Sequence, residues 1–231
     1  MLAVVTFLWG DKYPAEYVAK LRNMVARNLH VPHDFICITE RQLRPYISTP
    51  FIMCPEWPKF EELQGCYRRL KLFSLRGFFD YSRIVMLDLD LVITGDVTPL
   101  LTGLDPITIY KCKAQGSRGY ALNPGILAFN AGALKPVWDY FSPDPNAAIA
   151  VAKSRGWSGT DQAIMGLSLD QRAGVRTIGE RDGVLSFRDH FKFRERPTGI
   201  EGARIVSFHS KSNPSDQDTQ AKFPWIREHW R

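Results

Sequence analysis

Apolar and polar positions along the chain follow two periods, and the places where one gives way to the other mark the elements. Leu2 to Phe7 is an apolar run rich in β-branched residues and reads as a strand. Gly10-Asp11-Lys12-Tyr13 follows as a loop, and Pro14 is a favoured opening residue for a helix. Val18, Leu21 and Val25 then recur at helical spacing, with Lys20, Asn23 and Arg27 on the other side. Phe35 to Thr39 supplies a second strand. Prolines at 45, 50, 55 and 58 make that stretch irregular, and helical periodicity returns over Glu61 to Leu75, where Leu63, Tyr67 and Leu70 mark one face. Arg68, Arg69 and Lys71 cluster beside that face.

The second half continues in the same manner. Ile84 to Leu87 has the composition of a strand buried on both faces, and Ile107 to Lys111 reads as another. Ala114 to Gly119 reads as a connecting loop, and Asn123-Pro124-Gly125 as a turn feeding the apolar run Ile126 to Phe129. Leu134 to Phe141 and Asn146 to Ser154 read as short helices, and Thr160 is in place to cap a third that carries Asp161 and Gln162 in its first turn. Ile205 to Phe208 is a last strand, running into His209 and Lys211. Strands alternating with helices predict an α/β fold, and no internal repeat appears.

Composition narrows the class. The 231 residues, 45% hydrophobic and 23% charged, fit one large α/β domain. No apolar run reaches the roughly 20 residues of a membrane span. Met1 to Trp9 is too short and lacks the basic start of a signal peptide, so it is better placed as the first strand. Cys37, Cys54, Cys66 and Cys112 have no paired spacing and read as reduced packing residues of a cytosolic protein. A formal charge of +6 favours an anionic partner: a phosphate, a nucleic acid or an acidic membrane surface.

The chemistry concentrates in Arg83-Ile-Val-Met-Leu-Asp88-Leu-Asp90-Leu-Val-Ile. Aspartate is depleted from strands and costly to bury unpaired. Two of them, two residues apart at the end of an apolar run, would share a face and repel unless a cation lies between them. The pattern points to a divalent-metal site at the carboxyl edge of the sheet, where open α/β sheets bind ligands. The plainer alternative is a strand that ends early and leaves both carboxylates in a solvated turn. The Arg68-Arg69-Lys71 cluster is open in the same way, fitting either a diphosphate or a solvated helix face. Asp161 would be explained by the helix dipole alone.

The order of these features resembles that of the GT-A-fold glycosyltransferases, especially the glycogenin-like and lipopolysaccharide galactosyltransferase group with its bacterial and phage relatives. The resemblance runs from Val4 to about Trp225 through short motifs: Val5-Thr6 with Asp11 and Tyr13, Arg69 four residues before Phe73, Asp88-Leu89-Asp90, Asn123-Pro124-Gly125, Asp161-Gln162 and Phe208-His209-Ser210-Lys211. Pro124 and Ser210 depart from the usual serine and glycine of the group. It implies a single GT-A domain over residues 1–231, Rossmann-like, with a mostly parallel mixed central sheet flanked by helices. It implies a metal-dependent hexosyltransferase with a nucleotide-sugar donor, by resemblance a UDP-sugar, retention of configuration and an unspecified glycan, lipid-linked or protein acceptor. Asp88, Asp90 and His209 would hold Mn²⁺ (or Mg²⁺), since oxygen-rich ligation with one imidazole suits these ions better than Zn²⁺. Thr6, Tyr13, Arg69, Asp88, Asn123, Gly125 and Lys211 would bind the donor, and Asp161, Gln162 and Arg69 would serve catalysis. The expected location is cytoplasmic, with a peripheral position at the membrane left open.

Two other classes compete. Leu87-Asp88-Leu-Asp90-Leu-Val also resembles the nucleophile motif of haloacid dehalogenase-type phosphatases, with Asp88 attacking phosphate. The basic charge alone would permit a non-catalytic module for nucleic acid or another anion, although the cations are spread rather than striped and nucleic acid is the less expected partner.

Overall fold

The computed structural model describes residues 1–39, 51–53, 63, 65–74, 81–112, 120–158, 160–169, 174–193, 199–208 and 212–231. Ten strands occur among them: β1 (Leu2–Leu8), β2 (Asp34–Thr39), β3 (Phe51–Met53), β4 (Arg83–Leu87), β5 (Leu91–Ile93), β6 (Ile107–Lys111), β7 (Leu122–Asn130), β8 (Val175–Ile178), β9 (Val184–Ser186) and β10 (Ile205–Ser207). Seven form one sheet in the order β3-β2-β1-β4-β7-β6-β8. The β1–β2, β1–β4, β2–β3 and β6–β8 pairs are parallel, while β7 runs antiparallel to both β4 and β6. This is the mostly parallel mixed sheet of an α/β protein, as the strand and helix alternation predicts.

Successive residues of the central strands point to opposite faces, and both faces are apolar. Val4, Val85, Leu87, Ile126 and Ala128 pack into one apolar layer, and Ala3, Val5, Ile84, Met86, Leu127 and Phe129 pack into the opposite one. Both faces are therefore covered, which is what a parallel sheet requires. Helix α1 (Glu16–Asn28) buries Val18, Leu21 and Val25 in the first layer. In the second layer lie a 3-10 helix (Gly65–Ser74), α3 (Lys135–Phe141) and α5 (Asp161–Leu169). The remaining α-helices among the described residues are α2 (Thr98–Leu101), α4 (Pro145–Ser154), α6 (Gln217–Lys222) and α7 (Trp225–His229).

Four sequence expectations are corrected. Strand β4 stops at Leu87, and β5 belongs to a second sheet in the order β5-β10-β9, so Asp88 and Asp90 occupy the crossing between two sheets rather than one regular strand. Leu89, buried between them in the first apolar layer, pins that crossing. The described part of the expected helix 61–75 is a 3-10 helix, and its core residues Tyr67, Leu70 and Phe73 recur every three residues, the period at which 3-10 side chains align. Asn123-Pro124-Gly125 lies inside β7, where the β6 register jumps between Ile109 and Tyr110, so the chain bulges there instead of turning. The proline-rich stretch contains β3, at the outer edge of the sheet. The rest of 45–58 lies outside the described residues, as does the loop 114–119.

Candidate active site

A cleft of about 490 Å³ opens at the carboxyl ends of β1 and β4, lined by Phe7, Trp9, Lys12, Tyr13, Gly65, Cys66, Arg69, Asp88 and Asp90 among others. Parallel strands set this place: β1 and β4 run side by side with Val5 opposite Met86, so the residues after each strand emerge at the same edge. Asp88 is held there by its backbone, whose N–H donates to Gly125 O at 2.8 Å.

Arg69 is the hinge of the site's electrostatics. Its guanidinium pairs with Asp88 on one side, and on the other its Nε lies 2.5 Å from Asp161 Oδ2. Burial works against the Arg69 charge, but Asp161 and Asp88 together hold it firmly protonated. Burial likewise pushes the Asp161 carboxyl up, with Arg69 opposing that and Asp88 adding to it. Asp161 is thus no solvated dipole partner: it is a buried carboxyl paired with Arg69. Because Cys66 and Arg69 are three apart on the 3-10 helix, they share its cleft-facing side. Burial drives the Cys66 thiol up to about 11, so at neutral pH it is a thiol, not a nucleophile.

Asp90 is the site's unrelieved charge. Burial first, then the charge of Asp88, push its carboxyl up to about 6, while a hydrogen bond from the Tyr13 hydroxyl to Oδ2 at 2.6 Å pulls the other way. Two carboxylates on one cleft, each disfavouring the charge of the other, form a donor set that a divalent cation would relieve. Among the described residues no group of three His, Cys, Asp and Glu side chains converges, so this part of the chain offers two ligands. The backbone N–H of Phe208 donates to the backbone carbonyl of Asp90 at 3.0 Å, and β10 pairs antiparallel with β5, so the chain lies beside the Asp90 backbone at the residue before His209. His209 and Lys211 themselves lie outside the described residues.

The other expected residues take several roles. Thr6 is fully buried, and its hydroxyl donates to Leu87 O at 2.8 Å. The hydroxyl thus ties β1 to the residue before Asp88. Asn123 is buried and its Oδ1 accepts from Gly125 N at 2.8 Å, which shapes the bulge beside Asp88. A β-carbon on Gly125 would sit 2.9 Å from Asp88 Cγ, so glycine there makes room for the carboxylate. Gln162 follows Asp161 in the first turn of α5 and is half-buried. Thr160 does not cap that helix through its hydroxyl, which is buried without a partner among the described residues. Phe7, Trp9, Lys12 and Cys66 line the cleft although sequence patterns alone give them no role; the aromatic residues ending the first apolar run are the available signal.

No protein-family model matches the chain, and no curated protein does. Solved structures of glycosyltransferases do match in shape, and what they show is the fold, GT-A. One is the galactosyltransferase LgtC in complex with donor and acceptor sugar analogues, at TM-score 0.64 and 14% identity, covering 98% of this chain and 94% of that one. The glycosyltransferase GlyE of Streptococcus pneumoniae TIGR4 matches at TM-score 0.56 and 17% identity over 93% of this chain and 56% of its own. The bifunctional glycosyltransferase WbbM matches at 0.58 and 15% over 98% of this chain and 50% of its own. At these identities the likeness is one of fold. No helix among the described residues is long and apolar enough to cross a membrane.

Proposed function

We propose that the chain is a metal-dependent glycosyltransferase that moves a hexose from a nucleotide-diphosphate sugar, a UDP-sugar on the motif resemblance, to a glycan, lipid-linked or protein acceptor, with residues 1–231 acting as one domain. The observation that carries the reading is the convergence of Asp88, Asp90 and Arg69 on one cleft at the carboxyl edge of a GT-A sheet. Asp88 and Asp90, with His209 as the third ligand, would hold Mn²⁺ or Mg²⁺, which when bound offsets the charge of the departing nucleoside diphosphate.

The protein's own residues divide the remaining work. Arg69, fixed between Asp161 and Asp88, places a preorganised positive charge in the cleft wall. Lys211 is assigned to the diphosphate by the motif resemblance. Phe7, Trp9 and the Tyr13 ring give the cleft flat aromatic surfaces suited to a nucleobase. Asn123 and Gly125 keep Asp88 in place, and Thr6 does so from the neighbouring strand. Asp161 works through Arg69, and Gln162 beside it is assigned to the transferred sugar. Retention of configuration rests on the same resemblance.

The phosphatase and nucleic-acid readings gain no observation from the fold or the cleft. A turnover assay separates all three: UDP release from UDP-hexoses in Mn²⁺ that stops on chelation supports the transferase. Hydrolysis of a simple aryl phosphate without UDP release would contradict it.

A further inference from the structure

The hydroxyl that holds Asp90 belongs to a ring that Lys12 Nζ of the same loop covers, 4.5 Å from the centroid. Tyr13 stands between Gly10, at φ +61°, and the start of α1, whose cap residue Ala15 has no side chain with which to fix the turn. Its ring packs also on Tyr17 one helical turn on, with centroids 5.0 Å apart. Tyr17 is in turn held from outside α1. Its hydroxyl donates to Ser215 Oγ at 2.7 Å, and its ring meets the edge of Trp230 at 4.9 Å.

Trp230, the buried residue directly after α7, is held from several sides. Lys20 lies 3.9 Å over its ring, and its backbone N–H closes on Ile226 O at 2.8 Å. Arg27 donates to the carbonyls on both sides, His229 O at 2.7 Å and Arg231 O at 2.6 Å. Tyr17, Lys20 and Arg27 lie three and seven residues apart on α1 and so form one face dedicated to this segment. The indole N–H is buried without a partner among the described residues, a cost tolerated for the position of the ring.

We propose that Tyr17 and Trp230 are positioning residues for Asp90: the segment 212–231 sets the place of Tyr13 through an aromatic chain, and Tyr13 sets the carboxylate. The inference rests on the reading of Asp90 as a metal ligand. A carboxylate donor placed by a hydrogen-bonding neighbour keeps its orientation only as well as that neighbour is held, and loss of such outer partners weakens metal affinity. Two residues outside the cleft thereby tune how tightly it takes a divalent ion.

The test is calorimetric titration of the full chain with Mn²⁺ alone, beside thermal unfolding of each variant. Trp230→Ala is expected to weaken Mn²⁺ affinity roughly tenfold, Tyr13→Phe at least as much, and Trp230→Phe to restore most of it. In a Tyr13→Phe background Trp230→Ala should add nothing, because its route to Asp90 is already cut. Ser215→Ala, which removes only the partner of the Tyr17 hydroxyl, carries the same test should Trp230→Ala fail to fold, with a loss of about threefold. Wild-type affinity in folded Trp230→Ala, or a full additional loss in the Tyr13→Phe background, would overturn the inference. Asp90→Asn serves as the reference: unchanged Mn²⁺ binding there would remove the metal site itself and the inference with it.

Discussion

Gly125 has no room for a side chain because Asp88 stands where it would go. A β-carbon would lie 2.9 Å from Asp88 Cγ and 3.0 Å from Asn123 Oδ1, and the Gly125 carbonyl already accepts the Asp88 N–H. Neither neighbour is the loose end of a flexible chain. Gly125→Ala should therefore displace Asp88, cost about 1–3 kcal/mol of stability and weaken Mn²⁺ binding at least tenfold. Unfolding in urea and metal titration read the two effects separately.

The charge of Asp90 fixes a pH dependence. Its carboxyl lies at about 6 in the folded protein against an ordinary 3.8, so the folded state holds the proton more tightly than the unfolded chain. A raised acid favours the fold below 3.8, and that contribution is lost as pH rises to about 6. The metal-free wild type should lose stability relative to Asp90→Asn across that window. Mn²⁺ affinity should move the opposite way, rising as the proton leaves and levelling above about 6. Unfolding free energies of both proteins at several pH values, with and without Mn²⁺, check the sign.

Removing Arg69 strands a buried carboxylate. Asp161 is 2% exposed and Arg69 is the cation beside it, so Arg69→Ala should destabilise the protein by about 3–5 kcal/mol. The double change Arg69→Met with Asp161→Leu should recover much of that loss while leaving donor binding impaired. Recovery of both would mean that the pair serves stability alone.

Thr6 separates a structural tie from a ligand contact. Thr6→Val leaves Leu87 O without its buried donor and should cost about 1–3 kcal/mol. Donor affinity of the folded variant should stay within about twofold, since the side chain does not reach the cleft. A loss beyond that would restore Thr6 to the binding site.

Burial dictates which features the residues alone make legible. Continuous apolar runs locate β1, β4 and β6 because strands covered on both faces tolerate few polar residues, and the two aspartates stand out for the same reason. Strands β8 and β9 escape notice because they are short, and Val175-Arg-Thr-Ile178 is half polar, so neither carries a period. The crossing at Leu87 is hidden by Leu91 to Ile93, whose apolar run continues the pattern although it belongs to another sheet. Arg27 sits on the polar side of α1 in the sequence pattern, yet it holds two carbonyls of the segment after α7, a contact no local spacing encodes. The partnership of Arg69 with Asp161 is likewise long-range, and local rules offer a sufficient simpler reason for each residue.

On the proposed function, Asp88 and Asp90 join a nucleotide sugar to the protein through a divalent ion. Calorimetric titration of the wild type and Asp88→Asn with a UDP-hexose, each with Mn²⁺ and with a chelator, tests it most directly. Binding by the wild type that requires Mn²⁺, and loss of that requirement together with most of the affinity in a folded Asp88→Asn variant, is the predicted result. Equal affinity in all four titrations, or no binding of any UDP-hexose by the wild type with Mn²⁺, would contradict it.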